Sequence, residues 1–286
     1  MKKFLICAAT AAFAIAGSTP TLAQTAAKKP AARTAAAKSG GAVSAARIGG
    51  KPNLNGIWRA MAPADWNLEP HDATGSPAAP ELLGALAATP GGLGVVEGNM
   101  IPYKPEALAQ RDKNRRAAPK ADPEAACYLP GIPRATYVAN HSFQIIQAEK
   151  GDMLFAYEYA GANRAIFMKP VEVPPIDTWM GTSYGQWEGD VLKITTLAQN
   201  GMTWLDRSGN FASGGATVVE RFKTLDATHL DYTATIDDPD TFTKPWKIHL
   251  VLYKNVEPNA QLMDFNCVPF ADEVVYGDLK PKDNKQ

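Results

Sequence analysis

In a chain of 286 residues, 29 basic and 29 acidic side chains cancel, so the sequence offers no overall polycation to attract nucleic acid. Three cysteines and four histidines (His71, His141, His229, His249) are scattered, with no pair at the spacing a zinc site needs, so no metal is expected. The motifs of phosphate loops, zincins, thiol redox centres and nucleophile elbows are missing as well, and no cofactor is expected.

The first predicted element is a secretory leader over residues 1–23. Lys2 and Lys3 supply its positive start, Phe4–Gly17 its apolar stretch, and Thr21-Leu22-Ala23 a small-residue cleavage site. The apolar stretch is too short for a transmembrane segment, which needs about 20 residues. No cysteine stands at the cleavage point to carry a lipid. The expected product begins at Gln24 and is periplasmic or secreted.

Residues 24–51 read as a disordered Ala/Lys/Gly-rich linker. The segment lacks aromatic and acidic residues, so it buries too little apolar surface to offset the entropy of ordering. The leader and linker hold eight of the bases and none of the acids, which leaves the body with eight more acids than bases. Residues 52–286 are then one β-rich domain, a size that single barrels commonly reach.

Within that domain Leu54–Trp58 reads as a turn entering a strand. A Pro/Ala/Gly-rich wrap follows, with at most a short helix at Pro80–Ala88. Pro105–Ala117 is the best helix candidate: Pro105 suits its first position, Glu106 its first turn, and Arg115 and Arg116 its last. Strand then follows strand: Phe143–Glu149, Asp152–Tyr159, Asn163–Met168, Tyr184–Trp187, Val191–Leu197, Thr217–Thr224, His229–Ile236, Trp246–Lys254 and Gln261–Cys267. Gly189 between Glu188 and Asp190 marks a tight hairpin. The expected fold is mainly β, a single antiparallel meander closed as a barrel or folded as a sandwich, with a coil- and helix-containing N-terminal wrap. Cys7 leaves with the leader, and Cys127 and Cys267 are expected to pair in an oxidising compartment.

Strand alternation selects three charged candidates. Glu158 shares a face with Leu154 and Ala156, Arg164 with Ile166 and Met168, and Glu220 with Val218 and Phe222. A charge on an apolar stripe needs a partner, so Glu158, Arg164 and Glu220 are expected to meet inside the barrel. They form either a structural salt bridge or an acid/base group in a cavity. Tyr157 and Tyr159 complicate this, because they make the opposite face of the same strand the more aromatic. Arg134, beside Pro133, is a candidate anion binder or a partner of Asp237 or Asp238. Trp179, Tyr184, Trp187, Trp204 and Trp246 are candidates to line a ligand pocket or, equally, to cap the core.

The motifs at Cys127–Arg134, Trp179–Asp190, Trp204–Asn210, Val218–Phe222 and Thr235–Trp246 resemble those of a family of secreted bacterial proteins. Its pattern reads W-E-G-D, V-V-E-R and T-I-x-D-P, and names no reaction. That pattern carries histidines where this chain has Ala212 and Thr217, and an acid where it has Gly214. The resemblance implies that any site those groups build in relatives is lost here. Separately, Gly56-Ile57-Trp58 is similar to the Gly-x-Trp opening of lipocalin-like barrels. Three functions are compatible with this reading. The first is a protein binding a hydrophobic or aromatic small molecule in its cavity. The second is a cofactor-independent lyase, isomerase or hydrolase using Glu158 or Glu220 as base, with Arg164 or Arg134 holding developing negative charge. The third is a structural envelope protein without ligand.

Overall fold

The computed structural model describes residues 46–74, 88–271 and 274. The leader, residues 24–45 of the linker and all but the last residue of the short helix expected at Pro80–Ala88 lie outside the described residues. The first described segment is a ribbon of two strands, β1 (Arg47–Ile48) and β2 (Lys51–Pro52), paired antiparallel. Nine further strands close into one barrel. They are β3 (Gly56–Ala60), β4 (Phe143–Ile146), β5 (Met153–Tyr157), β6 (Asn163–Phe167) and β7 (Thr182–Glu188), then β8 (Val191–Leu197), β9 (Thr217–Thr224), β10 (His229–Asp237) and β11 (Trp246–Lys254).

Around the ring each strand is followed by the next in the chain, and β11 returns to β3. Every contact is antiparallel except β6 against β7, which is parallel. Strand directions cannot alternate perfectly around an odd ring, so one parallel seam is unavoidable. It falls where the segment 168–181 is long enough to carry the chain back to the other end.

Alternation then fills the interior. Trp58, Phe143, Phe155, Ile166, Leu192, Phe222 and Tyr232 point inward and are at most 2% exposed. Aromatic and aliphatic side chains of the barrel strands are buried together, so the barrel encloses a hydrophobic core. Phe155 meets Phe222 edge-on, with ring centroids 5.6 Å apart.

Helix α1 (Pro105–Ala117) starts at a proline, carries Arg115 and Arg116 in its last turn, and buries only Ala107. The wrap that contains it supplies Leu68, Val96, Ile101, Ile132 and Tyr137 to the core. The strand expected at Gln261–Cys267 does not form. β3 already occupies the outer edge of β11, so the closed ring has no edge left for a tenth strand. That segment instead runs as a tether, with Cys267 joined to Cys127 across 140 residues. The Met263 amide donates to Glu158 at 3.0 Å, and the Phe270 amide to the Ala125 carbonyl at 2.6 Å.

Candidate functional site

Arg164 on β6 and Glu220 on β9 meet in the barrel centre, at 3% and 0% exposure. The Arg164 guanidinium also donates to Ser183 Oγ at 2.8 Å and Thr196 Oγ1 at 2.6 Å. Glu220 accepts from the Tyr232 hydroxyl at 2.9 Å. Burial opposes the charge on Arg164, but the adjacent carboxylate outweighs it and raises the guanidinium pKa. Tyr157, whose hydroxyl is buried beside the pair, is pushed up to about 12 by that burial. Side chains of five strands, β6 to β10, therefore pin the sheet through one ion pair, and neither charged group reaches the surface.

Glu158 does not join them. The inward face of β5 is the aromatic one, carrying Met153, Phe155 and Tyr157, and the strand ends before Glu158. The chain turns there with Glu158 in helical geometry. Its carboxylate is buried under the tether, where it accepts from the amides of Ser142 at 2.6 Å and Met263 at 3.0 Å. His141, whose Nδ1 lies 4.0 Å from Glu158, packs against Phe265 with centroids 4.3 Å apart. Burial lowers its pKa against the pull of Glu158.

Arg134 is 1% exposed and binds neither Asp237 nor Asp238. It holds Asp65 at 2.8 Å, both oxygens of Asp122 at 2.9 Å, and Glu124. Arg207 closes the network onto Glu124 at 2.6 and 2.8 Å and stacks over Trp66 at 4.3 Å. Burial works against the Asp65 charge, yet Arg134 and Arg207 hold its carboxyl below the usual range. Beside them Asp206 accepts from the amides of Leu68, Ser208 and Asn210 and from the Asn210 side chain, at 2.6–3.2 Å. Burial still pushes its carboxyl up to about 6. These groups fasten the wrap to the loop at 204–210 and leave Arg134 no donor facing solvent.

The aromatic candidates disperse. Trp246 is buried in the core at 5% exposure, and Trp204 is buried outside that cluster at 7%. Trp179 stacks on Tyr128, 4.6 Å between centroids, and Tyr184 lies on the outward face of β7. Trp187 stands at a concavity. That hollow, about 290 Å³, opens at one end of the barrel. Met153, Met168 and Trp187 form its apolar surface, Gln147 and Gln186 its polar edge, and Lys150 and Glu149 belong to the β4–β5 turn at its rim. Ile48 and Lys51 of the ribbon complete it.

The linker reading missed these last two residues. Ile48-Gly49-Gly50-Lys51 carried the signal, since Gly-Gly is a two-residue hairpin turn, and φ is +55° and +76° at the two glycines. Met153 and Met168 gave no comparable signal, because methionine is ordinary core filling.

Comparison with models of protein families finds no match for the chain, and comparisons with curated proteins and with solved structures find none either. The class that the fold defines is therefore structural: a closed, mixed nine-stranded β-barrel with a sealed ion pair at its centre and a small open hollow at one mouth.

Proposed function

We propose that this chain is a secreted or periplasmic protein that binds a hydrophobic or aromatic small molecule at the mouth of its barrel. One observation carries the reading: an open hollow of about 290 Å³ in which Trp187 meets two methionines. Its volume is near the lower end of small-molecule sites, and thioether and indole surfaces adapt to flat apolar ligands. The intramolecular disulfide is consistent with an oxidising compartment, and no described helix is long and apolar enough to cross a membrane. A leader cleaved after Ala23 completes the proposal, and N-terminal sequencing of the exported protein should then begin at Gln24.

The neutral fluorophore N-phenyl-1-naphthylamine tests the site. Its emission should rise saturably on titration, and Trp187→Ala should weaken binding at least tenfold in protein that circular dichroism shows to be folded, although Trp187 also packs against the core. No saturable binding, or an unaffected Trp187→Ala variant, would overturn the proposal. A structural protein without ligand is the second reading, favoured by the filled barrel interior. Absence of binding would support it. The enzymatic alternative is weaker, because Glu220 and Glu158 are both buried under protein and already hydrogen-bonded.

A further inference from the structure

We infer that Lys51 makes this site selective for an aromatic ligand that carries an acid group, an inference that rests on the binding function proposed above. The Gly49-Gly50 turn folds Lys51 back opposite Ile48, so that both side chains line the hollow. The ribbon is anchored on two sides. Arg47 donates to both oxygens of Asp190 at 2.7 and 3.1 Å, and Lys51 Nζ to the Gly189 carbonyl at 3.1 Å, both on the β7–β8 turn. On the other side Gly49 presses on the β4–β5 turn, where a Cβ would stand 2.4 Å from the Glu149 carbonyl oxygen. Only glycine permits that approach.

The distribution of charge then matters. Asp190 lies near both Arg47 and Lys51, but Arg47 occupies both of its oxygens. Among the described residues Lys51 makes no ion pair, while its ammonium lies 5.9 Å from the Trp187 ring centroid. It has one carbonyl partner for three N–H donors. An ammonium with free donors beside an indole surface matches a carboxylate or sulfonate attached to an aromatic ring. The ring lies on Trp187 and the methionines while the acid receives a charge-assisted hydrogen bond. Lys150 adds a second positive charge to the rim against the single carboxylate of Glu149.

The test compares two probes that differ only by a sulfonate, 1-anilinonaphthalene-8-sulfonate and N-phenyl-1-naphthylamine, on the full-length protein. Wild type should bind the sulfonate at least tenfold more tightly than the neutral amine. Lys51→Met should bring the two affinities within about twofold, mainly by weakening the sulfonate, and Lys51→Arg should keep the preference. If Lys51→Met retains the full preference, or wild type has none, the role of Lys51 is overturned while the site stands. If wild type binds neither probe, or Trp187→Ala leaves both affinities unchanged, the site itself is overturned and this inference with it.

Discussion

Glu220 has no exposed surface, so a variant that deletes Arg164 strands a carboxylate in the barrel centre with Tyr232 as its remaining donor. Arg164→Met is expected to destabilise the fold by ~3–5 kcal/mol in urea denaturation. Arg164→Met combined with Glu220→Leu should cost less than the single change, because the stranded charge goes too. Asp206 makes a second expectation, in pH. Its carboxyl is raised to about 6 in the fold by burial, above its unfolded value of about 3.9. A group raised in this way binds more protons when folded. Its contribution is full below the unfolded pKa and is lost as pH rises through about 6. Wild type should therefore lose stability relative to Asp206→Asn between roughly pH 4 and 6, read from denaturation at several pH values. A constant difference across that window would contradict the assignment. Arg164 and Glu220 were readable from the sequence because alternation put each among apolar neighbours of one strand. Glu158 was misplaced because the inward face of its strand is the opposite one, carrying Met153, Phe155 and Tyr157, and the strand stops at Tyr157. The partners of Arg134 were hidden for another reason: Asp65 and Asp122 come from irregular segments of the wrap, where no periodicity relates sequence to direction.

The ribbon and the tether are the two elements whose roles lie outside the barrel. Exposed ion pairs such as Arg47–Asp190 contribute little to stability, because water screens them. Replacing Arg47–Lys51 by a Gly/Ser segment should therefore leave the melting temperature almost unchanged while removing preference for the sulfonate probe. A fall in melting temperature above ~5 °C, which corresponds to more than ~1 kcal/mol, would show that the ribbon supports the core. The tether behaves differently. Its disulfide closes a loop of 140 residues, for which the chain-entropy account gives roughly 5 kcal/mol. Cys267→Ser should lower stability toward that limit, and the denatured oxidised wild type should release no thiol from Cys127 or Cys267. Helix α1 and strands β8, β9 and β11 match their sequence-predicted bounds because their signals are local: a proline start, an alternating run, a turn at each end. The ribbon was overlooked because two-residue strands have no period to detect, and the tether was overpredicted because propensity does not say whether a free edge exists.

At the scale of the molecule, the odd ring makes β6 against β7 its shortest pairing, with those of β3 next. The parallel seam joins β6 to β7 only through Ile166 opposite Ser183 and Phe167 opposite Tyr184. β9 and β10 instead pair from Thr217 opposite Asp237 to Thr224 opposite Leu230. Hydrogen exchange should show the seam amides opening well before those of β9 and β10, since local opening follows the density of native pairing. Equal protection would mean that the Arg164–Glu220 pair, which ties β6 across the interior, compensates for the short seam. Closure has a further consequence in time. β3 is made near the beginning of the body and its partner β11 near the end, with Trp58 opposite Lys254. A chain that emerges N-terminus first must keep β3 unpaired along that edge until almost the whole domain has appeared. During that interval Ile57 and Trp58 are open to any other extended segment, including a second nascent copy. The finished ring is edgeless, but its assembly depends on a late arrival, and a chain cut short before Trp246 would carry that open edge for as long as it survives.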